Sequence, residues 1–337
     1  MKKLLFITWS ISYGYGTEKS LADVLNRLDK ENYSIHILPL FKNSNNSIFN
    51  DNIKILDSII DYTSENFDEQ AALKRYYELL ASPLLFNKLL SEKYDCVIAC
   101  NHNAPSYFAS YIAGSTKILW IRGDMKELDY TQFDENTEQY KQTKQEYEMQ
   151  AMVLKSFDSI AVISNVVQQT LSKLFGITKN VVKISNSIDI DKINLLSEQK
   201  VPLPDKMLFT TLGRLDYNKN QLLLLKAAKE VMQKRDDFII YILGDGEDKL
   251  KLQQYINENG LERNAKILGF IENPYPYIKN SIATVPTSLS EGFSLVLVES
   301  VMLNTPLISP DWIYVNIIDT KSLTTSPLGS TMCSLWC

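Results

Sequence analysis

Two glutamates stand eight residues apart in the stretch Ser290-Glu291-Gly292-Phe293-Ser294-Leu295-Val296-Leu297-Val298-Glu299. It lies between a short apolar run at 282–286 and an apolar helical pattern that ends near Leu303. A strand that opens into a helix through a glycine-containing turn leaves backbone N–H groups free to hold phosphate or a sugar hydroxyl. Eight helical residues rise about 12 Å, roughly the reach between the two ends of a nucleotide-diphosphate sugar. One carboxylate can then address the sugar and the other the ribose. Alone, the pair is better read as solvated charges flanking a core helix, so the neighbouring motifs must decide.

The apolar run 208–212 is followed by Gly213-Arg214-Leu215-Asp216-Tyr217-Asn218-Lys219-Asn220. A guanidinium and an ammonium in a loop that starts a helix can neutralise a diphosphate leaving group. The next strand candidate ends in Gly244-Asp245-Gly246-Glu247, a tight turn into a helix. Leu268-Gly269-Phe270 then precedes Asn273-Pro274-Tyr275-Pro276-Tyr277, where a base can lie against the backbone or the rings can serve turn and core. Near the N-terminus stands Gly14-Tyr15-Gly16-Thr17-Glu18-Lys19. A dinucleotide fingerprint needs a third glycine where this chain has Lys19, so NAD binding and an oxidoreductase gain little support.

These residues need elements to hold them, and the chain alternates short apolar runs with longer amphipathic ones. Strands are expected at 3–9, 34–40, 96–100, 117–121, 159–163 and 181–184. Helices lie between them, at 18–29, 70–80 and 137–155 among others. The stretch 70–94 reads as a helical hairpin kinked at Pro83, although its Lys74, Arg75, Lys88 and Lys93 also suit an anionic membrane. After a polar segment with Pro202 and Pro204, the strand–helix rhythm restarts at 208–212, 238–243, 265–268 and 282–285, with 306–309 as a fifth strand. Strands alternating with helices imply parallel sheets covered on both faces. The expected fold is α/β, two successive doubly wound Rossmann-like domains facing a cleft that holds the ligand at strand carboxyl ends.

With 337 residues, 45% hydrophobic and 22% charged, the chain can build two full cores. A net charge of −5 argues against nucleic acid as a partner. The four cysteines (Cys96, Cys100, Cys333, Cys337) make no disulfide framework at this size. Two histidines, His36 and His102, cannot build a His-rich metal site. The start, Met1 to Thr8, reads as a buried strand rather than a signal peptide, and no stretch reaches membrane-spanning length.

Taken in order, Gly213-Arg214-Leu215 with Lys219-Asn220, Gly244-Asp245-Gly246, Leu268-Gly269-Phe270, Asn273 to Tyr277 and the Glu291…Glu299 segment resemble the retaining glycosyltransferases of family 4, which have the GT-B fold. Ile163-Ser164-Asn165 and Ser185 to Asp189 look like the family's approach to its hinge. The resemblance covers most of 160–309 and implies an N-terminal acceptor-side domain at 1–187, a hinge at 188–206 and a nucleotide-sugar-binding domain at 207–311. It implies that Arg214 and Lys219 hold the donor diphosphate and that Glu291 faces the donor sugar, with Gly292, Phe293, Ser294 and Leu295 adjoining. By the same resemblance Glu299 accepts from the ribose, Gly16 belongs to the glycine-rich loop near the donor phosphate, and His102 stands near an active-site histidine. In Trp120-Ile121-Arg122-Gly123-Asp124, Arg122 occupies a place where relatives commonly show histidine. Asp189-Ile190-Asp191 looks like the metal-binding triplet of the other transferase fold, but falls in the hinge without that fold's surrounding pattern.

The implied activity is retaining, metal-independent hexosyl transfer, with a nucleotide sugar as donor and no cofactor. The acceptor would be a glycan or a lipid-linked one in bacterial cell-surface polysaccharide synthesis, in the cytoplasm and peripherally at the inner face of the membrane. Trp312 to Cys337 departs from the family, and its last 16 residues carry no charged side chain. That composition reads as a truncated or frame-shifted ending of the second domain. It keeps a second reading open, a nucleotide-sugar-binding remnant without turnover.

Overall fold

The computed structural model describes residues 1–11, 16–42, 48–63, 67–310 and 324–326. They form two compact units, Met1–Ile188 and Asp189–Cys337. The first is built on β1 (Lys2–Ser10), β2 (Tyr33–Lys42), β3 (Lys54–Ile55), β4 (Ile60–Asp61), β5 (Cys96–Ala99), β6 (Thr116–Ile121), β7 (Ser159–Val162) and β8 (Val181–Lys183). All pair in parallel in the order β3-β2-β1-β5-β6-β7-β8, with β4 also on β2. Leu5, Phe6 and Ile7 of β1 are buried, as a central parallel strand between two helical layers requires. From β1 the chain goes first to β2 on one side and later to β5 on the other. The strand order therefore reverses between β1 and β5, the place where a doubly wound sheet opens a crevice at its carboxyl edge.

The helices of this unit are α1 (Gly16–Leu25), α2 (Glu69–Ala81), α3 (Pro83–Leu89), α4 (Ala104–Ser110), α5 (Glu138–Leu154) and α6 (Asn165–Phe175). The expected hairpin is α2 and α3, broken at Pro83. Proline cannot donate a hydrogen bond and suits the first helical position, so α2 stops and α3 starts there. Ser82 caps the new helix, its Oγ accepting from Leu85 N at 3.4 Å. Leu73, Tyr77, Leu84, Leu85 and Leu89 of the pair remain exposed.

In the second unit, β9 (Met207–Leu212), β10 (Phe238–Leu243), β11 (Ala265–Gly269) and β12 (Ala283–Thr284) form a parallel sheet in the order β11-β10-β9-β12. Its helices are α7 (Ile190–Ser197), α8 (Gln221–Met232), α9 (Lys249–Glu258), α10 (Tyr275–Lys279) and α11 (Leu295–Met302). Leu224, Leu225, Leu252 and Ile256 pack with Phe238, Ile240 and Ile242 into one core. The expected fifth strand at 306–309 does not extend this sheet as a strand. Thr284 N donates to Pro306 O at 2.9 Å and Thr284 bridges Leu307. The chain then forms β13 (Ile308–Pro310), which pairs with β14 (Thr324–Ser326) instead. The two-residue β12 offers little edge, and the prolines at 306 and 310 bring no N–H to a ladder.

The segment expected as a hinge, 188–206, contains α7, which packs on α10 within the second unit. Asp189, first carboxylate of the Asp-Ile-Asp triplet, caps α7 by accepting from Lys192 N at 3.0 Å. Gly14 and Tyr15 of the glycine-rich loop lie outside the described residues, as do Cys333, Cys337 and the rest of the atypical tail apart from β14.

Candidate functional site

The second unit gathers its predicted residues where loops leave the carboxyl ends of β9, β10 and β12. Gly244 follows β10 with φ +150°, and a Cβ built there would lie 1.9 Å from Gly213 O. A Cβ at Gly246 would meet Leu215 O at 2.4 Å. Glycine at both places lets two loops touch backbone to backbone. Gly213 N donates to Leu243 O (3.1 Å), Leu215 N to Asp245 O (3.0 Å) and Asp248 N to Leu215 O (2.9 Å). The 213–220 loop is also tied to the one before α11. Leu289 N donates to Asn218 O at 2.7 Å, Asn218 Nδ2 to Ser290 O at 2.9 Å, and Thr287 Oγ1 to Lys219 O at 2.8 Å.

This stitching brings Lys219 and Glu291 together. Lys219 Nζ pairs with Glu291 Oε1, which also accepts from Ser288 Oγ at 2.7 Å. Both side chains are largely buried, at 20% and 14% exposure. Arg214 differs: its guanidinium is 62% exposed and pairs with Asp216 at 3.0 Å, while Asp216 Oδ1 accepts from Lys219 N at 2.9 Å. Gln221 Nε2 holds the Arg214 carbonyl at 2.8 Å.

The expectation that helix separates the two glutamates needs correcting. The helix α11 begins at Leu295, so Glu291 lies on the turn and only Glu299 is helical. Gly292, a weak helix former, and the extended Ser294 (φ −84°, ψ 104°) delay the start. Ser294 makes no side-chain cap, which leaves N–H groups of the first turn, beginning at Leu295, available beside Gly292 and Phe293. Glu299 is buried, with Oε1 accepting from Tyr275 Oη at 3.1 Å. Within the Asn273 to Tyr277 phrase, Tyr275 thus works from the core to orient a carboxylate. Asn273 donates to Leu196 O (2.9 Å) and Gln199 Oε1 (2.7 Å). The sequence carried no signal for the Tyr275–Glu299 or Ser288–Glu291 partnerships, since both depend on folded proximity.

In the first unit, Gly16 opens α1 and is exposed. His102 follows β5 and is buried, with both ring nitrogens engaged. Its Nε2 lies 2.6 Å from Glu127 Oε1 and its Nδ1 3.0 Å from Asn101 Oδ1. The flanking Asn101 (φ +142°) and Asn103 (φ +60°) adopt backbone conformations that non-glycine residues seldom take. Strain of that kind concentrates at functional turns. The asparagines on either side of His102 were the available signal for it. Asn103 N donates to Gln150 Oε1 at 2.7 Å, which fixes the turn to α5. Arg122, just past β6, is also buried. Burial pushes its guanidinium down from its ordinary pKa, against the opposing pull of Cys100 and Glu18.

Comparison with known proteins is consistent with this geometry. Residues 194–316 match the family model described as glycosyl transferases group 1. Over 164 residues the chain is 35% identical to an uncharacterized glycosyltransferase of Methanocaldococcus jannaschii, covering 47% of this chain and 40% of that protein. Over 126 residues it is 35% identical to the N-acetylgalactosamine-N,N'-diacetylbacillosaminyl-diphospho-undecaprenol 4-alpha-N-acetylgalactosaminyltransferase of Campylobacter jejuni, covering 37% and 33%. The chain thus spans less than half the length of either relative. Among solved structures, a sucrose-phosphate synthase from Thermosynechococcus elongatus superposes with a TM-score of 0.70 at 13% identity, covering 92% of this chain and 82% of that one. Anabaena HepE in complex with UDP and glucose gives 0.66 at 17% identity, covering 92% and 81%. The chain has the GT-B fold, and its residues 194–316 are similar to the glycosyl transferases group 1 family.

Proposed function

We propose that this chain moves a sugar from a nucleotide-diphosphate donor to a glycan or lipid-linked acceptor in bacterial cell-surface polysaccharide synthesis, with retention at the anomeric carbon and without a metal ion. The observation that carries this reading is the partly buried Lys219–Glu291 pair held beside the start of α11. An ammonium and helix N–H groups together can stabilise charge that grows on a departing diphosphate. Glu291 lies one residue from the Gly292 backbone, where a donor sugar would be oriented. Glu299, fixed by Tyr275, is suited to accept from vicinal ribose hydroxyls.

Calorimetry with UDP, together with a UDP-sugar transfer assay run with and without EDTA, tests the reading. Glu299→Gln is expected to weaken UDP by roughly tenfold or more, since each hydrogen bond to a charged group contributes about 1.5–3 kcal/mol. Glu291→Gln is expected to leave UDP affinity nearly intact while cutting transfer. Equal losses of UDP affinity would remove the division of labour, and transfer abolished by EDTA would remove the metal-free mechanism.

The proposal extends to peripheral membrane contact through α2 and α3. Exposed Leu73, Tyr77, Leu84, Leu85 and Leu89 stand beside Lys74, Arg75 and Lys88, a mixture that suits an anionic lipid surface. Sedimentation with phosphatidylglycerol vesicles is expected to carry the chain down, and Leu84→Ser with Leu85→Ser to reduce it. A chain that stays in the supernatant would exclude this contact.

A further inference from the structure

Among the described residues, Arg122 is a charge without an ion pair. Its side chain is buried at 6% exposure, and it lies one residue past β6 at the carboxyl edge of the first sheet. The guanidinium carbon sits 4.7 Å from the Trp120 ring centroid. One nitrogen, Nη2, donates to Asn186 Oδ1 at a long 3.4 Å, and Nε, fully enclosed, has no partner among the described residues. Arginine stays charged in proteins, so enclosing it is expensive unless an anion or several good acceptors meet it.

The neighbouring carboxylates are committed elsewhere. Glu18, which acts on Arg122 only through longer-range attraction, accepts from Ser10 Oγ (2.8 Å) and Thr17 Oγ1 (2.6 Å). Glu127 holds His102, and Asp124 lies 3.4 Å from Lys126 Nζ. The surroundings look built rather than accidental. Arg122 N donates to Asn101 Oδ1 at 3.2 Å, the same oxygen that His102 Nδ1 faces. Gly123 lies against this pair: a Cβ there would make ordinary contacts, 3.4 Å from Asn101 Nδ2 and 3.8 Å from His102 Cε1. Asn101, Asn103, Gly123 and Asn186 are each partly exposed, so the cluster reaches solvent. Its place, on the strands next to the β1/β5 reversal, is where an open parallel sheet takes its ligand.

We propose that Arg122 anchors an anion subsite in the first unit, which takes a singly charged oxyanion, a carboxylate or a phosphodiester, carried by the acceptor. The planar guanidinium fork matches either group. One enclosed cation, partly offset by Glu18, balances one negative charge rather than two. The assignment of this anion to the acceptor rests on the reading of the chain as a sugar transferase. The subsite itself rests on Arg122 and its neighbours.

The test is arginine side-chain NMR on the full ¹⁵N-labelled chain, with the Arg122 Nε–H resonance assigned by its loss in Arg122→Lys. Methyl glucuronide supplies a carboxylate, diethyl phosphate a phosphodiester, and methyl glucoside a neutral control. A saturable displacement of the resonance by one or both anions, and not by the glucoside, is expected; the stronger of the two identifies the source of the charge. Arg122→Gln is expected to bind that anion roughly tenfold or more weakly at an unchanged melting temperature. No displacement by either anion at about 50 mM, an equal response to methyl glucoside, or undiminished binding in Arg122→Gln would overturn the proposal. If Arg122→Gln fails to fold, the titration of the unaltered chain decides alone. Transfer plays no part in the readout. A chain that transfers sugar without this displacement loses the subsite and keeps its function, and the converse result does the reverse.

Discussion

Lys219→Ala is expected to slow sugar transfer by roughly 100- to 1,000-fold, the usual consequence of losing one donor aimed at charge that develops in the transition state, about 2.7–4 kcal/mol. Charge on the diphosphate grows as the sugar leaves, so the loss is expected in the rate more than in ground-state affinity for the nucleotide. The structure sharpens this by separating the two cations of the loop. Lys219 is 20% exposed and held against Glu291, whereas Arg214 is 62% exposed and pairs with Asp216. Attraction weakens with solvent screening, so Arg214→Ala is expected to cost less than Lys219→Ala. Single-turnover rates at saturating donor for the two variants measure the difference. An unchanged rate in Lys219→Ala would take the phosphate role away from this loop.

Gly244→Ala is expected to be the most damaging single methyl group in the second unit. The added Cβ would sit 1.9 Å from Gly213 O, a backbone atom that cannot rotate away. Overpacking costs about 1–3 kcal/mol, and the backbone at φ +150° adds about 1–3 kcal/mol of strain for any side chain. A total of about 3 kcal/mol or more is a large share of a typical domain's stability. Urea unfolding should show the midpoint falling with little change in slope. Gly260→Ala is the internal comparison: that glycine also has positive φ, but nothing lies within 4 Å of the added atom. Equal losses in the two variants would mean that backbone conformation alone, and not the touching loops, dictates glycine at 244.

Much of this architecture was legible because long strands and helices repeat their pattern. The run Phe238–Leu243 matches the expected strand at both ends, and α5 (Glu138–Leu154) falls within the expected 137–155. The elements that escaped notice are short. The strands β3 and β4 have two residues each, too few to show alternation, and distant partners hold them in place. Lys54 of β3 donates to Glu92 Oε1 at 2.8 Å, and Lys3 of β1 meets the other oxygen at 2.5 Å. Those two lysines hold the Glu92 carboxyl well below its ordinary range, at about 2. At the site, the sequence supplied the residue types and their order. It did not supply their pairing. That Lys219 meets Glu291, that Tyr275 reaches Glu299 and that Arg122 reaches Asn186 are facts of tertiary proximity at sequence separations of 72, 24 and 64.

The contacts that join the loops of the second unit are mostly made by main-chain atoms. Leu289 to Asn218, Gly213 to Leu243, Leu215 to Asp245, Gly244 to Gly269 and Asp248 to Leu215 all run from an N–H to a carbonyl. A substitution cannot delete such a bond unless it introduces proline, so the frame is indifferent to most changes in coding sequence. Selection on donor choice can therefore act on the side chains that project from it while the scaffold persists. A library that randomises the exposed Tyr217 and Leu289 but spares the glycines at 213, 244 and 246 would vary recognition without dismantling the frame that presents it.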